Sequence, residues 1–230
     1  MSIESMEGVR KVWRRRVVAE YSSAAVTAEL LHQVIVLGLS PDTLETCHRI
    51  VSDEIAHAEL SREVVLAAGG SEDDVIPIAR EGLLSGRGSG DPLELQVLAT
   101  VTDVFCCGET VAVPLFRAIR EPTSEPVAVA ALDRILRDES IHRAFGWDTL
   151  DELLELLGET GRSWVRERAP GYMNRIRQAY RNRGGAEDVC TPTEVRWGRM
   201  EPRRYSEITE TCIAEVITPR FESRVGSLTT

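Results

Sequence analysis

Asp53-Glu54-Ile55-Ala56-His57 and Asp138-Glu139-Ser140-Ile141-His142 repeat one pattern: an aspartate, a glutamate and, three residues after the glutamate, a histidine. The chain holds only four histidines, and two of them stand in these segments. Composition alone predicts roughly 0.02 copies of D-E-x-x-H in a chain this long, so a pair is a specific signal. Residues three apart on a helix share a face, so each glutamate and its histidine can present an oxygen and a nitrogen to one point. Both pairs fall on otherwise apolar helical rows. These are Cys47, Ile50, Glu54, His57, Ser61 and Val64 in one segment, and Leu132, Ile135, Glu139, His142 and Phe145 in the other.

Two further glutamates sit on apolar rows. Glu20 follows Trp13 and Val17 and precedes Ala24, Thr27 and Leu31; Glu109 follows Leu98, Thr102 and Phe105 and precedes Ala112 and Phe116. A carboxylate buried without a partner protonates or destabilises the fold, so four pointing inward call for compensating cations. Two divalent ions would supply them. One Glu from each of two helices plus Glu-x-x-His from each of two others is a di-iron or di-manganese carboxylate pattern, whereas structural zinc sites are tetrahedral and usually thiolate-rich. Asp53 and Asp138 strengthen the reading. An acid beside the ligand Glu can reach across to the second ring nitrogen of the opposite histidine, pairing Asp53 with His142 and Asp138 with His57. A single Glu-x-x-His is as easily a solvated helix pair; two, with two inward glutamates at matched spacing, are not.

Outward from these motifs the chain reads as all-α. A proline-free stretch from about Glu7 to Leu37 ends at Gly38, and Ser40-Pro41 caps and starts a second helix reaching about Ala68. The glycine- and acid-rich stretch from Gly69 to Gly90 is a long connection, with one or two helical turns expected within Val75 to Leu84. Asp91-Pro92 opens a third helix to about Arg120, which Pro114 should kink or loosen, and Thr123 or Ser124 opens a fourth to about Leu157. No run has the alternation of a strand. Short turns within each helix pair and one long connection between pairs predict two antiparallel hairpins joined by a crossover. The ligand spacing repeats with them: His57 to His142 is 85 residues and Glu20 to Glu109 is 89. A fifth helix over Trp164 to Arg183, a loop to Pro192 and a sixth helix from about Pro202 to Ile217, ended by Pro219, complete the chain. The expected division is a bundle over 1–160 and a helical extension over 161–230.

At 230 residues and 43% hydrophobic content the chain can bury a full core. The start, MSIESMEGVRKVWRRR, lacks the apolar run of a secretory signal, so a soluble cytoplasmic protein with no membrane segment is expected. Five cysteines without a C-x-x-C pair are expected as reduced thiols. The net charge of -10 opposes nonspecific nucleic-acid binding. It is uneven: Gly161 to Tyr205 carries eleven Arg against five acids. An amphipathic basic segment packed on the acidic bundle is the expected use.

With these residues in view, the chain resembles the ferritin-like di-iron carboxylate superfamily, which includes ferritins, rubrerythrins, aldehyde-deformylating oxygenases, multicomponent monooxygenases and a tRNA-hydroxylating enzyme. The resemblance covers roughly residues 7–157. It implies a ferritin-like four-helix bundle with one long crossover and two additional C-terminal helices. It implies Glu20, Glu54 and His57 on one metal and Glu109, Glu139 and His142 on the other, with Glu54 and Glu139 as bridges. The cofactor implied is two Fe ions, with Mn/Fe or Mn/Mn as alternatives. The chemistry implied is that of an O2-dependent di-iron oxidoreductase, an oxygenase or oxidase acting on a small organic substrate with an external electron donor. The chain departs from parts of the family. Ser61 stands where radical-generating reductases carry a tyrosine, Val113 where many monooxygenases carry a threonine, and no rubredoxin-type C-x-x-C is present. Ala24, Thr27, Ser61, Phe105, Cys106 and Phe145 are the candidate pocket residues. Segment 159–230 is a candidate cap over the pocket or a homodimer surface. A ferroxidase or iron-binding protein and a tRNA-modifying hydroxylase are the alternatives.

Overall fold

The computed structural model describes residues 3–71, 90–181 and 189–228. Every regular element among them is helical. Helix α1 (Ile3–Leu37) breaks at Gly38, whose φ of 68° is open to glycine. Ser40 then caps α2 (Pro41–Ala67), its hydroxyl accepting the Thr43 amide at 3.3 Å with Pro41 in the first turn. With a turn this short between long helices that pack together, α1 and α2 are antiparallel neighbours. The turn expected within Val75 to Leu84 lies outside the described residues.

Helix α3 (Leu93–Arg120) is continuous, but its middle, Val101–Glu109, is wound as a π-helix. The irregularity lies before Pro114 rather than at it. The carbonyl that Pro114 cannot engage, Thr110 O, accepts from Cys212 Sγ at 3.5 Å instead. A π turn changes the helical phase, so a row read at regular spacing does not carry straight through residues 101–109.

The fourth helix begins at Pro126, not at Thr123 or Ser124. Thr123 turns its hydroxyl back to Ile119 O at 2.6 Å, the amides of Ser124 and Glu125 both donate to Arg196 O at 3.0 Å, and Glu125 O accepts the first helical bond, from Val129 N–H at 2.9 Å. The helical run Pro126–Arg181 is broken at one residue, Gly158 (φ 59°, ψ −136°), giving α4 (126–157) and α5 (159–181). Residues 182–188 lie outside the described residues. A short α6 (Pro192–Arg196) falls where a loop was expected, held by a capping box between Thr191 and Glu194. The final helix, α7 (Pro202–Val225), runs through Pro219 rather than ending there. Its π turn, Ile213–Ile217, widens the helix before the proline, with Thr218 N–H bonding Ile213 O five residues back. Among the described residues the extension after α4 therefore holds three helices, not two.

Helices α1, α2, α3 and α4 form the body, with α3 on α4 and α2 on α4 as well as the first hairpin. Trp13, Leu30, Ile50, Leu98, Phe105, Leu132 and Ile135 are fully buried between them. Helices α3 and α4 touch backbone to side chain at Gly146, where a Cβ would stand 2.6 Å from that of Phe105. Cys106 Sγ donates to Gly146 O there at 3.2 Å. The extension closes on this body: α7 packs on α3 and on the run Pro126–Arg181, and Trp13 Nε1 donates to Trp197 O at 2.7 Å. Helix α3 is long and apolar enough to cross a membrane, but 61% of that apolar window is buried inside the chain, consistent with the core helix of a soluble protein. All five cysteines are free.

Candidate metal centre

Helices α1 to α4 each turn a carboxylate into the centre of the body, and Glu20, Glu54, Glu109 and Glu139 are all buried with His57 and His142. Donor atoms of Glu20, Glu54 and His57 lie within 4.8 Å of one another, as do those of Glu54, Glu109 and His142. Glu54 and Glu139 each face both rings. Glu54 Oε2 is 3.7 Å from His57 Nδ1 and its Oε1 is 3.4 Å from His142 Nδ1. Glu139 Oε1 is 4.0 Å from His57 Nδ1 and its Oε2 is 3.6 Å from His142 Nδ1. The structure thus brings together all six residues singled out by the sequence, with Glu54 and Glu139 in the middle.

Whether these residues fit metal ions is answered by their unmet bonding capacity. Glu54 Oε2, Glu139 Oε2, His57 Nδ1 and His142 Nδ1 are buried without a hydrogen-bond partner. Four such buried atoms facing one another are costly, and they are the oxygen and nitrogen donors that a divalent ion takes.

The outer ring nitrogens meet the paired aspartates. His57 Nε2 is 3.2 Å from Asp138 Oδ2, and His142 Nε2 is 3.6 Å from Asp53 Oδ2. The Asp138 bond fixes the His57 tautomer that leaves the Nδ1 lone pair facing inward, whereas His142 Nε2 lies beyond hydrogen-bond reach of Asp53 and is buried without a partner. What sequence reasoning missed is the arginine layer behind them. Arg134 Nε donates to Asp138 and its NH2 group donates to Asp53 Oδ1 at 2.8 Å, joining the two aspartates across the bundle. Arg49 reaches Asp53 at 3.4 Å and Arg137 reaches Asp138 at 3.2 Å. The signal was present. Each motif is preceded by Arg-Ile, so the repeat is R-I-x-x-D-E-x-x-H, with Arg49 and Arg134 one turn before their aspartates. Ser23, also unforeseen, donates to Glu54 Oε1 at 2.9 Å.

Without metal, the cluster must hold protons. Burial, followed by the charges of Glu54 and Glu139, pushes the carboxyls of Glu20 and Glu109 well above the ordinary 4.5. Burial also opposes charge on the two imidazoles. The facing carboxylates of Glu139 and Glu54 outweigh it at His142, raising it from 6.5 to about 10, and Glu54 with the charge of Glu139 does so at His57. Glu54 goes the other way: burial is outweighed by both histidines, and its carboxyl lies below the usual range. Between pH 6.5 and about 10 the folded metal-free chain therefore binds more protons than the unfolded chain, so its stability falls as pH rises through that window. Glu54 contributes stability that is present above 4.5 and lost only in acid. In chelator, Tm should fall across the upper window, and Fe(II) or Mn(II) affinity should rise over the same interval because the ions displace these protons. A Tm that stays level or climbs there would contradict this proton inventory.

A cavity of about 1030 Å³ reaches the cluster at Glu20, Glu54, Glu109 and Glu139. It runs from the cluster along the first half of α1 and the last turns of α3, past Val12, Leu115, Phe116 and Ile119, and Tyr180, Met200 and Tyr205 of the extension close its far wall. None of Ala24, Thr27, Ser61, Phe105, Cys106 and Phe145 lines it. The expected pocket pointed along α1 the wrong way. Those residues fill the core instead: Phe105 and Phe145 pack edge to face at 5.0 Å, and Cys47 Sγ approaches Thr27 O at 3.7 Å. Arg16 borders the cavity near Glu20, its guanidinium 4.1 Å from the Trp13 ring and 5.1 Å from that of Phe116, and its charge partly offsets Glu20.

No family model matches this chain, and neither the curated proteins nor the solved structures contain a significant match to it.

Proposed function

We propose that the chain is a non-haem di-iron oxygenase or oxidase of the ferritin-like carboxylate type, using O2 and an external electron donor to oxidise a small organic substrate. The observation that carries this reading is the convergence of four buried, unsatisfied donors, Glu54 Oε2, Glu139 Oε2, His57 Nδ1 and His142 Nδ1, between Glu20 and Glu109. Glu20, Glu54 and His57 would hold one ion and Glu109, Glu139 and His142 the other, with Glu54 and Glu139 shared. When bound, such a pair of ions supplies the electron transfer and O2 chemistry that side chains lack. A carboxylate-rich set suits iron or manganese, so Mn/Fe and Mn/Mn pairs belong to the same reading.

The protein's own part is positioning and exclusion of water. Asp138 holds the His57 imidazole and Asp53 stands behind that of His142, Arg134 holds both aspartates, and Ile50, Ile135 and Phe105 keep the surroundings apolar. The apolar stretch of the cavity, Val12, Leu115, Phe116 and Ile119, suits a carbon skeleton and supports an organic substrate over a ferroxidase. Tyr180, Met200 and Tyr205 give the extension the role of a cap over this space.

RNA modification has less support. Much of the arginine in the extension is already paired: Arg166 with Glu159, Arg175 with Asp103, Arg177 and Arg181 with Glu210, and Arg203 with Glu207. The test is O2 uptake by the Fe(II)-loaded protein with an external reductant. Uptake that depends on an added organic compound is expected. Uptake tied only to added Fe(II), turning it to Fe(III) without any co-substrate, would transfer the chain to iron handling.

A further inference from the structure

The mouth of the cavity carries two cations that the metal cluster does not use. Lys11 and Arg15 both line it and both are exposed. They stand four residues apart on α1 and therefore on one face. Neither has a carboxylate partner among the described residues. Glu7, which also lines the mouth, is engaged elsewhere, 2.6 Å from Arg10 and 3.9 Å from Arg14. The third basic residue at the mouth, Arg199, is bound to Glu194. Inward of this pair Val12, Leu115 and Phe116 make an apolar stretch, with the buried Arg16 beside Glu20 at its inner end, before the carboxylates.

From these observations we infer that the cavity takes an amphipathic organic anion, its charged head held by Lys11 and Arg15 and its apolar body laid toward the cluster. The inference deepens the proposed oxygenase reading by naming its substrate class, and it rests on that reading only for what occupies the inner end. Charge selects the class: two cations at the mouth attract an anion and repel an amine. Length follows from the helix. Arg15 and Lys11 lie five and nine residues before Glu20, roughly 8 and 14 Å along the axis, so a body of medium length brings its far end, not its head, to the cluster. A solvated pair of cations with no ligand would give no preference among head groups.

The test is calorimetric titration at low salt with octanoate, octyl phosphate, octan-1-ol and octylamine, on the metal-loaded protein and again on the chelator-treated protein. At least one of the two anions should bind about ten-fold more tightly than octanol, as two exposed ion pairs to one head group allow, and the tighter anion names the head. The double variant K11Q/R15Q, altered only at exposed positions, should lose that preference and keep the affinity for octanol. Equal binding of octanol and both anions by the wild-type chain would overturn the inference, and so would a double variant that keeps the anion preference. The metal-free arm separates the two readings. A preference that persists after chelation supports the mouth by itself, and a chain that keeps it but fails to load metal at all removes the oxygenase alone; a metal-loaded protein without the preference does the reverse.

Discussion

Alanine at His57 or at His142 is expected to leave no more than about one metal ion per chain where about two are expected in the native protein. Among the described residues each imidazole is the sole nitrogen donor on its side of the cluster, and Nδ1 of each is buried without a hydrogen-bond partner. The loss extends beyond the missing ligand. Glu54 lies 3.4 Å from His142 and 3.7 Å from His57, and these contacts keep its carboxyl ionised in the metal-free chain. Removing one partner of a buried pair costs about 3–5 kcal/mol. Glu54 can take up a proton instead, so a loss near the lower end, about 3 kcal/mol, is expected in chelator. Metal content by mass spectrometry and Tm with and without chelator read the two effects separately. Full retention of both metals by both variants would remove the assignment.

The second large effect is expected at Arg134, which touches no candidate ligand. Its guanidinium spans Asp53 and Asp138, the residues behind His142 and His57, so a single substitution releases the support of both imidazoles at once. Loss of such outer partners typically weakens metal binding 10- to 100-fold, and Arg134→Met should fall in that range. Arg49→Met is the internal control. Arg49 meets only Asp53, at 3.4 Å, and half of its side chain is in solvent, so its removal should change affinity by only a few-fold. Competition titrations with a chelating dye measure both variants. Equal and small effects would show that the aspartates hold the histidines unaided.

The contrast between these residues shows where the sequence was legible. Glu54, His57, Glu139 and His142 could be read because three-residue spacing on a regular helix fixes a shared face, and helices α2 and α4 are regular through both motifs. Arg134 stood in the same repeat but at a position that reads as ordinary helix surface. Only the packing of α2 on α4 shows that its guanidinium reaches Asp53. The cavity was illegible for another reason. Its direction depends on the π turn at Val101–Glu109 and on where Met200 and Tyr205 fold back, and neither follows from periodicity along a single helix. Pro219 misled in the same way: as a terminator it is a sound local signal, but the wide turn at Ile213–Ile217 accommodates it. The capping box Thr191 to Glu194 could have revealed α6 in advance.

The most direct measurement is the metal content of the wild-type chain expressed in iron-supplemented medium, joined to X-ray absorption at the bound metal. About two irons, or one iron and one manganese, per chain, with a metal–metal distance of roughly 3.5–4 Å, is the predicted result. A chain that takes up no metal, or that holds a single tight zinc, would contradict it and leave the buried carboxylates without the ions their arrangement requires.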